Sequence, residues 1–360
     1  MTPSLIELES FSSDKLHRQV DAVRRQFGKR LLILGHHYQK EEVVIHTDLR
    51  GDSFQLSAEA AANADCKTIV FCGVHFMAET ADILANADAR RVDVVIPDAA
   101  AGCSMADMAT REQVELAWSR LAEFVDVSDI VPVTYVNSSA QLKAFCGRNG
   151  GVACTSTNAR AVLDWAFAQK RRVFFFPDQH LGRNTALAMG LPESEIVLWS
   201  GGEPSAPDAI RNARIILWNG YCGIHQKFRP EHITAIRRSH PRVRVIVHPE
   251  CCREVVELAD ESGSTSRILD RIAESSADSQ WAVGTESRLV ERLVSMFPTK
   301  TIFNLSPQPS YCETMDLITL PKLTRSLLQI EAGTPENVVR VDTETARDAI
   351  ICLQRMLSCR

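Results

Sequence analysis

Three stretches of this chain repeat one pattern: an apolar, strand-forming run gives way to a single cysteine among small or polar residues. They are Val94–Ala106 (VVIPDAAAGCSMA), Arg214–His225 (RIILWNGYCGIH) and Thr301–Met315 (TIFNLSPQPSYCETM). What precedes each is also repeated. A first β-rich run opens each copy: LLILGHHYQ (Leu31–Gln39), VPVTYVNSS (Val131–Ser139) and VRVIVHPEC (Val243–Cys251). A hydroxyl-rich segment follows: GDS (Gly51–Ser53), CTST (Cys154–Thr157) or GSTS (Gly263–Ser266). Ser, Thr and Asp before an amphipathic run are helix N-cap signals. A second strand then ends in CGVH (Cys72–His75), PDQH (Pro177–His180) or GTES (Gly284–Ser287). Another helix leads to the strand that carries the cysteine. Internal repetition on this scale dictates architecture before any single residue does.

Alternating strands and helices make parallel sheets covered by helices. The expected fold is therefore α/β, with three related α/β/α domains built on small parallel sheets. The expected division is a leader at residues 1–29 and domains at 30–112, 113–228 and 229–319, with the tail 320–360 joining the first. Ligands in such sheets bind beyond the carboxyl ends of strands. His36, Tyr38, Tyr135, Asn137, His248 and Glu250 fall there in the three copies. Cys103, Cys222 and Cys312 are equivalent positions, and three thiolates brought together would hold an iron–sulfur cluster with one iron unligated by protein. Such an iron is a Lewis acid.

Composition narrows the class. Eleven cysteines in 360 residues, an odd number with no secretion signal, argue against a disulfide framework. No CxxC pair occurs, which removes zinc-ribbon, thioredoxin and ferredoxin readings. Cys66, Cys72, Cys352 and Cys359 sit in apolar or helical contexts, Cys146 and Cys154 flank a Gly-rich loop, and Cys251 and Cys252 follow Glu250. A net charge of −5 implies no general affinity for nucleic acid or anionic membrane. No apolar run approaches the ~20 residues of a membrane span. A soluble, cytoplasmic enzyme is expected. The acidic N-terminus reads as a leader helix or mobile tail. Gly147–Gly151 (GRNGG) and Glu195–Asn212 lengthen the middle copy and read as surface insertions.

Taken in order, the motifs resemble those of the quinolinate synthase (quinolinate synthetase A) family. They are HHYQ (His36–Gln39), GDSFQLS (Gly51–Ser57), CGVHFMAETA (Cys72–Ala81), AGCSMAD (Ala101–Asp107), TYVNSSA (Thr134–Ala140), CTSTNA (Cys154–Ala159), FPDQHLGRN (Phe176–Asn184), LWNGYCGIHQKF (Leu217–Phe228), VHPEC (Val247–Cys251), GSTS and GTES. The resemblance spans about Leu31 to Leu320. It implies three pseudo-threefold-related domains around a central 4Fe–4S cluster, one per chain, held by Cys103, Cys222 and Cys312. It also implies condensation of iminoaspartate with dihydroxyacetone phosphate to quinolinate, in NAD biosynthesis, with release of phosphate and two waters. A functional link to L-aspartate oxidase goes with it. Where some relatives carry a CxxCxxC run, this chain has SPQPSYCETM and only Cys312.

Individual residues have plain and functional readings. His36 is either a strand-end capping histidine or, by resemblance, a contact to substrate carboxylate. Tyr38 and Tyr135 are either strand-favouring aromatics or phenols that hold or protonate the triose carbonyl oxygen. Ser53, Ser156, Ser264 and Thr265 are N-cap candidates, and a helix N-terminus also binds carboxylate and phosphate. His225, three residues beyond Cys222, supports the cluster or touches substrate. Glu250, beside His248, is the best general base. Catalysis is thus expected from His36, Tyr38, Tyr135 and Glu250. Substrate binding is expected from His36, Ser53, Tyr135, Asn137, Ser156, His225, His248, Glu250, Ser264 and Thr265. Asp178, His180, Arg183, Asn184 and Glu286 are left outside this set. Two rival classes remain: an iron–sulfur redox or sensing protein, which needs a fourth ligand, and a cofactor-free sugar-phosphate lyase or aldolase with incidental cysteines.

Overall fold

The computed structural model describes residues 2–63, 65–88, 90–200 and 207–359. The repeat is visible in its sheets. Strands β1 (Leu31–His36), β2 (Leu49–Gly51), β3 (Thr68–Cys72) and β4 (Asp93–Val95) run parallel in the order β2-β1-β3-β4. The second sheet contains β5 (Ile130–Tyr135), β6 (Val152–Cys154), β7 (Arg172–Phe176), β8 (Ile196–Trp199) and β9 (Ile215–Trp218), ordered β6-β5-β7-β9-β8. The third contains β10 (Arg244–Val247), β11 (Glu261–Ser262), β12 (Gln280–Gly284) and β13 (Thr301–Asn304), ordered β11-β10-β12-β13. Without the extra β8, each order reads second, first, third, fourth. Near the chain's end β14 (Val338–Val339) pairs antiparallel with β4. The fold is α/β with several small, mostly parallel sheets flanked by helices. β1 and β5 are buried along their whole length, as continuous apolar strands are when helices cover both faces.

The chain divides into two compact units. One comprises Met1–Cys103 and Tyr311–Thr343 and holds the first sheet. The other comprises Ser104–Ser310 and Glu344–Arg360 and holds the second and third. In the first unit the N-terminal segment is helical, over Leu5–Glu9 and Ser13–Phe27, with Ser4 and Ser12 as N-caps. Both helices pack on the helix Leu320–Glu331, and Leu8, Leu16, Val20 and Val23 are buried. The tail therefore divides. Residues through Thr343 complete the first unit, whereas the terminal helix Thr343–Ser358 packs in the second. There Asn158 Nδ2 donates to the Met356 and Cys359 carbonyls, and Arg148 pairs with Asp348 at 3.1 Å.

Of the two lengthened stretches of the middle copy, GRNGG is packed rather than free at the surface. GRNGG closes the helix Ala140–Arg148 and turns into β6. A Cβ on Gly147 would lie 1.9 Å from the Asp348 carbonyl oxygen, and one on Gly151 would lie 2.1 Å from that of Pro132. These glycines let backbone pack on backbone. The Glu195–Asn212 stretch supplies β8 and the short helix Pro207–Asn212; residues 201–206 lie outside the described residues. The caps also differ from expectation. Asp52, not Ser53, caps the helix Ser53–Ala62 and accepts from the Gln55 N–H at 2.9 Å. Asn158, not Ser156, occupies the N-cap position before Ala159–Gln169. Ser264 does cap the helix Thr265–Ala273, accepting from the Arg267 N–H, and Thr265 is its first residue. A carboxylate competes well with a hydroxyl for this role; Asn158 holds its position without a side-chain cap bond, its Oδ1 accepting from the Thr155 N–H instead.

Candidate active site

Strand register aligns the three copies residue by residue. Gly35 pairs with Cys72, Thr134 with Phe176 and Val247 with Gly284. His36, Tyr135 and His248 are thus equivalent, and so are Tyr38, Asn137 and Glu250. Two copies share one turn: the Tyr38 N–H meets His36 Nδ1 at 3.2 Å, and the Glu250 N–H meets His248 Nδ1 at 3.3 Å. In both, Nδ1 is the accepting nitrogen, which places a neutral ring's proton on Nε2. The cysteines also share a frame. A one-turn 3₁₀ helix begins three residues beyond each, at Ala106, His225 and Met315. A longer helix begins eight residues beyond each, at Arg111, Pro230 and Leu320.

In the first unit, His36 is buried and its ring meets Tyr38 edge-on, with centroids 4.6 Å apart. The same loop is tied to the Cys312 turn. Gln39 Nε2 donates to the Met315 carbonyl at 3.3 Å, and Lys40 Nζ to the Asp316 carbonyl at 2.8 Å. Ser53, Cys103 and Cys312 belong to this unit, each half-buried.

In the second unit, the carboxyl ends of β5, β9 and β10 bring together Tyr135, Cys222, His225, His248 and Glu250. His225 Nδ1 lies 2.7 Å from Glu250 Oε2, and His248 Nδ1 lies 3.9 Å from the same oxygen. The closer contact is an ion-pair distance without a straight hydrogen bond, because the ring N–H is poorly aimed at the carboxylate. The two imidazoles stack, with centroids 4.4 Å apart and planes 20° apart. The Tyr135 hydroxyl also hydrogen-bonds the Glu250 carboxylate. Burial pushes the Glu250 carboxyl upward, but the charge of neighbouring His225 and His248 and the Tyr135 hydrogen bond outweigh it and hold the carboxyl below its usual range. Burial and the proximity of His225 lower His248 to about 3, so its ring is neutral. Asn137 and Ser156, each half-buried, follow β5 and β6, while Ser264 and Thr265 are buried beyond β11.

Several residues hold this set in place, and sequence reasoning passed over them or set them aside. Thr285 Oγ1 is 3.1 Å from His225 Nε2. Asn184 Nδ2 donates to the Pro249 and Cys251 carbonyls, fixing the turn that carries Glu250. Asp178, fully buried, caps the helix Gln179–Ala188, and burial and nearby Glu250 push its carboxyl up. Gly220, two residues before Cys222, approaches Pro177 so closely that a Cβ would lie 2.2 Å from its carbonyl oxygen. Lys143 is fully buried, and its Nζ donates to the Ser138 carbonyl at 2.5 Å, in the loop after Tyr135. The one available signal for Lys143 was a lone cation in the apolar run AQLKAFCG.

The remaining thiols differ from the three in the shared frame. Cys66, Cys72, Cys146, Cys154, Cys251 and Cys352 are buried. Burial raises the Cys72 thiol to about 12, and pushes up those of Cys146, Cys154 and Cys251 as well. Cys252 and Cys359 are half-buried, and burial raises both thiols. Among the described residues no helix is long and apolar enough to cross a membrane.

Comparison with known proteins identifies the family. The family described as Quinolinate synthetase A protein matches residues 18–358. The chain is 52% identical to a quinolinate synthase of Rhodopirellula baltica, over 98% of this chain and 92% of that protein. It is 48% identical to that of Bacillus velezensis, over 99% and 96%. For Bacillus subtilis the identity is 47%, over 97% and 95%. The chain belongs to the quinolinate synthetase A family, whose members are enzymes.

Proposed function

We propose that the chain condenses iminoaspartate with dihydroxyacetone phosphate to quinolinate, releasing phosphate and two waters, in NAD biosynthesis. The observation that carries the mechanism is the buried Tyr135–Glu250–His225 contact set beside Cys222. A carboxylate held ionised between a phenol and two imidazoles is a weaker base than an ordinary glutamate, but it can relay a proton between those neighbours and substrate. Glu250 would take protons during imine–enamine exchange and dehydration, and Tyr135 would return one to a departing or carbonyl oxygen. His248, held neutral, would donate a hydrogen bond from Nε2 to substrate without competing for the proton. His36 and Tyr38 occupy equivalent positions in the first unit; His36 would meet a substrate carboxylate and Tyr38 the triose carbonyl. Asn137, Ser53, Ser156, Ser264 and Thr265 would bind the carboxylates and phosphate. The buried helix start at Ser264 and Thr265 is the best suited to an anion, having N–H groups and a positive dipole end.

The three framed cysteines fit a 4Fe–4S cluster. They are half-buried, share the same local frame and stand apart from the deeply buried thiols. Cys103, Cys222 and Cys312 would hold it. When bound, it supplies an iron with an open coordination position that polarises a C–O bond to be lost. Delivery of iminoaspartate by L-aspartate oxidase fits the substrate assignment.

The test pairs chemistry with iron content. Glu250→Gln and Tyr38→Phe should keep wild-type iron and lower kcat strongly. Cys103→Ser, Cys222→Ser and Cys312→Ser should each lose both iron and quinolinate formation, while Cys66→Ser keeps both. Normal turnover by Glu250→Gln, or full iron in Cys312→Ser, defeats the assignment.

A further inference from the structure

Cys222 takes part in a second constellation that the repeat does not explain. Its sulfur, a ring nitrogen of His225 and a carboxylate oxygen of Glu250 all lie within 4.8 Å of one another. Cys222 is half-buried, and the other two side chains are almost fully enclosed. The other cysteines of the shared frame lack this company. The residue three beyond Cys103 is Ala106, and three beyond Cys312 is Met315; neither can ligate as an imidazole does. A thiolate, an imidazole and a carboxylate form the mixed S/N/O donor set that binds zinc, with three protein ligands and one open position.

Two further observations point to a cation here. His225 Nδ1 is enclosed and lies 2.7 Å from Glu250 Oε2, yet makes no straight hydrogen bond to it. Its other nitrogen is engaged at 3.1 Å by Thr285 Oγ1. If Nε2–H donates to that hydroxyl, the Nδ1 lone pair faces Glu250, an arrangement adverse without a cation between them and favourable with one. An outer hydrogen bond that sets the tautomer is the usual companion of a ligating histidine. The 2.7 Å N···O contact needs little opening, since two ligands at ~2.0 Å from a tetrahedral ion sit roughly 3.3 Å apart.

We propose that protein without its cluster binds a divalent cation of the zinc type through Cys222, His225 and Glu250, and that this ion withholds Cys222 from cluster assembly. Binding releases the Cys222 thiol proton to solvent, and the dication balances thiolate and carboxylate. The exclusion rests on the reading of Cys222 as a cluster ligand; the cation site itself does not.

The experiment uses full-length iron-free protein, titrated anaerobically with Zn2+ against a chelator and with Co2+ alone as a spectroscopic probe. Wild type should show a thiolate-to-cobalt charge-transfer band, which Cys222→Ser abolishes. His225→Gln and Glu250→Gln should each weaken zinc by well over tenfold. Thr285→Val, which keeps every ligand, should weaken it by about tenfold. Cys103→Ser and Cys312→Ser should keep wild-type zinc affinity. Circular dichroism matching wild type qualifies each variant, and Thr285→Val serves if a ligand variant fails to fold. Zinc loaded before reconstitution should depress iron uptake in wild type and not in His225→Gln. If Cys103→Ser or Cys312→Ser loses zinc as fully as Cys222→Ser, or His225→Gln and Thr285→Val bind as wild type does, the site is overturned. Tight zinc with undiminished iron uptake overturns the exclusion. Cluster ligation is judged separately: full iron in reconstituted Cys103→Ser would sink that reading and leave the zinc result standing.

Discussion

Replacing Lys143 with Met separates stability from function. The ammonium is fully buried and donates to the Ser138 carbonyl at 2.5 Å. Ser138 Oγ in turn donates to the Tyr135 carbonyl and receives the Thr134 hydroxyl, each at 2.8 Å. Removing the charged donor costs ~1.5–3 kcal/mol. Against this, methionine has similar length and removes the desolvation cost of a buried ammonium, several kcal/mol after relaxation. The two nearly cancel, so Tm should move by less than about 4 °C. Catalysis has no such compensation. The loop would lose the tie that positions Tyr135 against Glu250, and a displacement of ~1 Å can cost about a hundredfold in rate. Thermal unfolding and steady-state quinolinate formation on the same cluster-loaded preparation check this. Unchanged kcat/KM refutes the positioning role. A large fall in Tm that accounts for the lost activity refutes the energetic argument.

Other expectations follow from the same geometry. Air should inactivate the loaded enzyme in step with loss of cluster absorbance, and anaerobic reconstitution should restore it; full activity of iron-free protein would rule out the Lewis-acid role. Ser264→Ala with Thr265→Ala should mainly raise KM, because cap and hydroxyls bind ground and transition states alike, with about 1 kcal/mol of stability lost with the cap; a pure kcat defect would contradict this. Burial, with Arg183 nearby, lowers His180 to about 4. The unfolded histidine binds its proton near pH ~6.5, so stability should decline as pH falls from there toward 4. His180→Gln should flatten that part of a Tm–pH curve, and an unchanged slope would exclude the assignment.

The repeat was legible because it is written in chemistry that recurs: strand, polar terminus, cap, helix, cysteine. The order of elements along the chain follows from it, whereas strand order within each sheet and the equivalence of His36, Tyr135 and His248 come from strand register. Two of the supports were not legible because they join residues far apart in sequence. Thr285 meets His225 and Asn184 holds the Pro249–Cys251 turn only after two sheets pack. Cap identity failed for a local reason: GDS and CTSTN each offer several oxygens, and backbone geometry chose Asp52 and Asn158. GRNGG read as an exposed loop because Gly and Asn favour turns. Here Gly147 and Gly151 are needed for close backbone packing, one against a helix about two hundred residues further along the chain.

The winding of the chain between its two units bears on its biosynthesis. The first unit gains β14 and the helix Leu320–Glu331 only after the whole of Ser104–Ser310 has been made. At ~5–20 residues per second, that interval lasts on the order of ten to fifty seconds. During it Leu16, Val20 and Val23 await the helix that finally lies over them. A nascent chain stalled before residue 320 should therefore present the apolar face that general chaperones recognise, while the second and third sheets, encoded without interruption, are already free to form.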